Sequence, residues 1–60
     1  MSKKLLTNSQ AADYLGLHPQ TLHNWRFNGK YLDYVKLGSR VLYEEEELER
    51  FIERSRVEVS

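Results

Sequence analysis

The sequence predicts a mainly α-helical domain with one small β-hairpin, and three observations carry that fold class. Residues 8–15 and 19–28 have helical apolar spacing, and each stretch is followed by a glycine, Gly16 and Gly29. Two β-rich runs, YVKL and RVLY, flank Gly38-Ser39. A last stretch, about residues 45–55, repeats Leu48, Phe51 and Ile52 at helical spacing.

Thr7-Asn8-Ser9-Gln10 fits a capping box, in which a threonine hydroxyl and a glutamine side chain satisfy each other's backbone donors. It opens a first helix whose expected apolar face is Ala11, Tyr14 and Leu15, with Leu5 as an extended residue packing beside it. Gly16 ends this helix because glycine takes a left-handed backbone without steric penalty. His18-Pro19 restarts a helix with proline at its first position, where the missing donor costs nothing. Gly29 closes this second helix in the same way.

The two-residue Gly-Ser loop predicts a hairpin over about residues 34–43 with a type II′ turn, which wants glycine first. Val35, Leu37, Val41 and Tyr43 are expected on its buried face, with Lys36, Arg40 and Leu42 pointing away. The last helix is expected to bury Leu48, Phe51, Ile52 and Ser55. Glutamates 44–47 suit the positive end of its dipole and a solvated face, with Glu46–Arg50 as an i,i+4 pair.

Sixty residues allow one domain, expected over residues 5–56 with flexible ends at 1–4 and 57–60. Without cysteine, no disulfide or cysteine-based zinc site can staple it. His18 and His23 do not share a helix face and lack clustered carboxylates, so no metal is expected. No cofactor is implied. No apolar run reaches membrane-spanning length and no signal-peptide core follows Lys3-Lys4, which predicts a cytoplasmic protein with no membrane partner. Net charge is zero, but unevenly spread. Residues 1–43 carry six Lys/Arg against Asp13 and Asp33; residues 44–60 carry seven Glu against three Arg.

Two short helices joined by a glycine turn pack steeply only with a small residue at their crossing and apolar residues at fixed inward positions. The chain supplies Ala12 at the crossing, Gly16 at the turn, and Ala11, Leu15, Leu17, Leu22 and Trp25 inward. That filled pattern predicts a helix-turn-helix, continued by a wing and a final helix. The outer face of the second helix then gathers side chains suited to base edges in a major groove. Gln20 and Asn24 can pair bidentately with adenine. Pro19 and Thr21 lie near its N-terminal end, and Thr21 suits a phosphate or a thymine methyl. His23 donates or accepts, Phe27 offers apolar contact to a methyl group or sugar, and Arg26 reaches toward a phosphate from the flank. On the hairpin, Lys36, Ser39 and Arg40 are expected to grip the backbone, releasing counterions from each phosphate they neutralise.

The blocks AADYLGL, PQTLHNW, YVKLGSRV and ELERFI resemble the small winged helix-turn-helix proteins of the excisionase and AlpA-type phage regulator group, relatives of MerR-type DNA-binding domains. The resemblance runs from about Leu5 to Glu53. It implies a recognition helix at Pro19–Asn28 and a wing tip at Gly38–Arg40. It also implies a transcription regulator or recombination-directionality factor that binds specific double-stranded DNA without chemistry of its own. The chain departs from the group's pattern in three places. Leu42 stands where a basic residue is usual, EEEE opens the last helix, and Lys30-Tyr31-Leu32-Asp33 replaces a usual proline before the wing.

An enzyme is not expected: there is no nucleophile–base pair, metal cluster or phosphate-cradling loop, and no small-molecule substrate is implied. The competing reading is a protein-interaction module, such as an antirepressor, resting on the zero net charge and the acidic last helix. Further expected partners are a second copy of the chain on repeated DNA sites, or a recombinase or polymerase.

Overall fold

The computed structural model describes residues 4–59. In chain order the elements are β1 (Leu5–Thr7), α1 (Asn8–Leu15), α2 (Pro19–Asn28), β2 (Val35–Leu37), β3 (Arg40–Glu44) and α3 (Glu45–Arg54). The result is the expected mainly helical fold, with an added strand. β1 joins the hairpin in a three-stranded antiparallel sheet of order β1-β3-β2. Of the ends expected to be flexible, residues 1–3 and 60 lie outside the described residues. The carbonyl of Lys4 accepts the Glu45 backbone N–H at 3.0 Å, which ties the chain ahead of β1 to the start of α3.

Both helix starts of the helix-turn-helix are closed by local chemistry. Thr7 Oγ1 accepts from the Gln10 N–H at 3.2 Å, and Gln10 Oε1 accepts from the Thr7 N–H at 3.0 Å, completing the capping box. At α2 the cap is His18, whose Nδ1 accepts the Gln20 N–H at 3.0 Å. A neutral imidazole can accept in this way, so histidine performs a task usually left to serine or aspartate. Gly16 and Gly29 stand at φ 71° and 64°. Beyond each, a six-residue bond closes the helix end: Leu17 N–H to Ala12 O at 2.8 Å, and Lys30 N–H to Trp25 O at 3.0 Å.

The core is Leu6, Ala11, Ala12, Leu22, Leu32, Tyr43 and Leu48, flanked by Leu15, Leu17, Trp25, Val41 and Phe51. Several expectations are corrected here. Leu6, not Leu5, is buried, because it pairs with Tyr43 across the ladder and shares its inward face. Tyr14 is exposed, and the two alanines Ala11 and Ala12 form the inner face of α1, which brings α2 close. On α3, Leu48 is buried and Phe51 packs against the core as expected, but Ile52 and Ser55 are exposed and Glu47 is buried as well.

On the hairpin, β3 faces as expected, with Val41 and Tyr43 inward and Arg40 and Leu42 outward, but β2 is turned over. Leu37 pairs with Arg40, Val35 with Leu42, and Lys36 with Val41. Cross-strand partners share a face, so Lys36 joins Val41 and Tyr43 on the side toward the helices. Val35, Leu37, Arg40 and Leu42 lie on the outer side. A two-residue turn pairs an odd position with an even one, and that one-residue offset sends every side chain of β2 to the face opposite the one expected. Leu42 does point outward as expected, yet it is buried, flanked by its ladder partners Thr7 and Val35. Gly38 has φ 61° while Ser39 keeps a negative φ, consistent with the expected type II′ turn.

Candidate nucleic-acid interface

Helix α2 turns Leu22 and Trp25 inward and leaves Gln20, His23, Asn24 and Phe27 exposed in one stripe. The spacing i, i+3, i+4, i+7 puts them on a single helical face spanning roughly 10 Å of axis. Phe27 is the extreme case, with 87% of its surface open to solvent. Gln20 Nε2 donates to Asn24 Oδ1 at 3.1 Å, so the two amides are oriented together. Pro19 is exposed at the helix start and Thr21 is half-buried on the flank.

Arg26 is drawn into the frame of the domain. Its Nη1 donates to Asn8 Oδ1 and, at 2.8 Å, to Tyr43 Oη; its Nη2 lies 3.3 Å from His23 Nδ1. Asn8 also donates from Nδ2 to the Pro19 carbonyl at 3.2 Å. One guanidinium and one amide thus bolt α1, α2 and β3 together directly behind the exposed stripe. Tyr43 is fully buried, so this bond also satisfies a hydroxyl that would otherwise be costly to bury. Sequence reasoning missed Asn8 and Tyr43 as positioning residues. Asn8 reads only as part of a cap, and a tyrosine at a strand position reads as packing; neither carries a local signal for a partner 17 or 18 residues away.

The hairpin flanks α2 on the His23 side. His23, Arg26, Phe27, Tyr34, Lys36 and Val41 line an open cleft of about 240 Å³ between helix and wing. Lys36 is therefore brought together with the α2 stripe. Ser39 sits at the turn, and Arg40 projects from the opposite face of the hairpin. Tyr34, half-open and 6.3 Å ring to ring from Tyr43, was not singled out from the sequence.

The chain from α2 to the wing is held by Glu47. This buried carboxylate accepts the Asp33 backbone N–H at 3.3 Å and Arg54 Nη2 at 3.2 Å on Oε2, and Arg50 Nη2 at 3.2 Å on Oε1. Burial alone raises its pKa, but the Asp33 amide and the two arginines outweigh that and hold it below the ordinary glutamate value. Arg54 also donates to the Tyr31 carbonyl at 3.2 Å. Tyr31 stands at φ 75° in a γ-turn closed by Leu32 N–H to Lys30 O at 2.9 Å. A positive φ is costly for an aromatic residue. Its ring packs tilted against Trp25, 4.6 Å between centroids, and Leu32 beside it enters the core. The expected solvated glutamate face therefore excludes Glu47, a connector no charge pattern distinguishes from its three glutamate neighbours.

Charge is segregated by these contacts. Arg50, Arg54 and Arg56 each pair with glutamates of α3, and the expected Glu46–Arg50 pair is present at 3.8 Å. Phe51 packs 5.5 Å from Trp25, so α3 lies behind α2, on the reverse of the exposed stripe. Among the described residues, Lys30, Lys36 and Arg40 have no carboxylate within ion-pair distance, which leaves cations on the wing side.

An exposed helix carried beyond a glycine turn, braced from behind and flanked by a hairpin, is the winged helix-turn-helix arrangement of DNA-binding regulators. The helix-turn-helix domain family matches residues 5–56, and the chain belongs to that family of AlpA-like excisionase regulators. Its members are non-catalytic, sequence-specific DNA-binding regulators that use the helix-turn-helix and the wing. No individual curated protein matches the chain. Among the described residues no group of His, Asp or Glu is arranged to hold a metal ion, and no helix is long and apolar enough to cross a membrane.

Proposed function

We propose that this protein binds specific double-stranded DNA in the cytoplasm, with α2 lying in a major groove and the hairpin resting on the adjacent sugar–phosphate strand. Gln20, His23, Asn24 and Phe27 face base edges; Pro19 and Thr21 approach the backbone at the helix start. Lys36, Ser39 and Arg40 meet phosphates from the wing. Arg26 acts mainly through others, fixing His23 and the crossing angle of α2. The observation that carries this reading is the stripe of two linked amides, an imidazole and a bare phenyl ring on a helix whose back is clamped by Arg26, Asn8 and Tyr43. Bound this way, the acidic face of α3 points away from the duplex, free to meet a second copy, a recombinase or a polymerase.

The test is selection of bound sequences from a random duplex pool, followed by binding of the enriched duplex to variants. Asn24→Ala is expected to weaken binding about tenfold and to relax preference at one position. Arg40→Ala is expected to weaken all sequences alike. Parent-like binding by both variants would reject these residue assignments.

A further inference from the structure

Arg26 does more to His23 than hold it in place. A guanidinium has only donors, so the His23 Nδ1 that lies 3.3 Å from Arg26 Nη2 must accept. A neutral imidazole accepting at Nδ1 carries its proton on Nε2. His23 therefore presents a donor, and no acceptor, on its outward edge. One helical turn on, Phe27 presents a phenyl ring with 87% of its surface uncovered. Tyr34, Lys36 and Val41 of the wing close the same cleft from the other side.

This donor–apolar pairing has one counterpart in the major groove. Thymine alone shows an acceptor, O4, beside a methyl group on C5; guanine offers acceptors without a methyl, and cytosine offers a donor. The methyl projects toward the base's own backbone strand, which is where a cleft between recognition helix and wing would lie, with Lys36 near the phosphates. We infer that His23 and Phe27 together read one thymine, His23 Nε2–H donating to O4 and the Phe27 ring covering the C5 methyl within the cleft closed by Tyr34 and Val41. Asn24 and Gln20 read their bases independently on the other side of the stripe. The inference rests on α2 lying in the major groove, as proposed above.

The test uses the full chain and the duplex enriched from the random pool, resynthesised with each thymine in turn replaced by deoxyuridine. One position is expected to lose about fourfold in affinity, which corresponds to about 0.8 kcal/mol for a single buried methyl. Phe27→Ala should bind thymine and deoxyuridine duplexes equally at that position. Placing 5-methylcytosine there, opposite guanine, keeps the methyl but replaces O4 with a donor, and should cost about tenfold. Because Phe27 is so exposed, its replacement leaves the fold intact, and an unchanged melting temperature verifies this. Saturable binding with no deoxyuridine effect at any position, or with 5-methylcytosine as good as thymine, overturns the His23–Phe27 assignment alone. A pool that yields no enriched sequence overturns it together with the DNA reading.

Discussion

Glu47 illustrates how one side chain governs a connection that secondary structure leaves open. Its carboxylate is buried, and it accepts from a backbone amide of the α2–wing loop and from two arginines of α3. These bonds depress its pKa below the ordinary value of 4.5 despite the opposing effect of burial. A carboxyl whose folded pKa lies below its unfolded one adds stability that is fully present above the unfolded value and lost as pH falls through the folded one. Stability should therefore decline as pH falls below about 4.5, measured by thermal melts across pH. Glu47→Gln should flatten that decline and lower stability at neutral pH by about 1 kcal/mol, the half-exposed arginines keeping the cost low. A variant with the parent's acid profile would show that other carboxylates set it.

At the level of elements, the ends of α1 and α2 position the interface as much as their faces do. Gly29 stands at φ 64°, where the chain leaves the recognition helix, and a Cβ added there meets nothing within 4 Å. Gly29→Ala should therefore cost only the left-handed backbone itself, about 1–2 kcal/mol, read as a lower melting temperature with DNA binding retained. A larger loss, or lost binding in the folded variant, would mean that the turn moves the wing. Two residues on, Tyr31 adopts a similar positive φ without being glycine, held by the tilted packing of its ring on Trp25 and the bond from Arg54 to its carbonyl. Tertiary contacts there, rather than the residue's own backbone preference, hold the chain that leads from α2 to the wing.

For the whole molecule, the decisive property is the separation of charge. The C-terminal arginines pair with glutamates of α3 behind α2, and the wing keeps its cations. A protein of zero net charge can then approach a polyanion through one side only. Binding to the enriched duplex should weaken steeply with salt, and Lys36→Ala should reduce the slope of log affinity against log salt by about one. An unchanged slope would place Lys36 off the phosphates.

Helix positions, their glycine ends, the capping box and the hairpin turn were all legible along the chain, because each depends on residues within one or two turns of one another. The stripe on α2 followed from helical periodicity alone. Which face of β2 met the helices was not legible from apolar pattern, since Val35 and Leu37 can satisfy either face; the ladder register chose, bringing Lys36 to α2 and turning Val35 and Leu37 outward. Nor did local pattern reveal the third strand at Leu5–Thr7, or the roles of Asn8, Tyr43 and Glu47, whose partners come from separate elements. A bond between distant residues leaves no periodic mark in a sequence: only packing of the finished chain brings its two halves within reach.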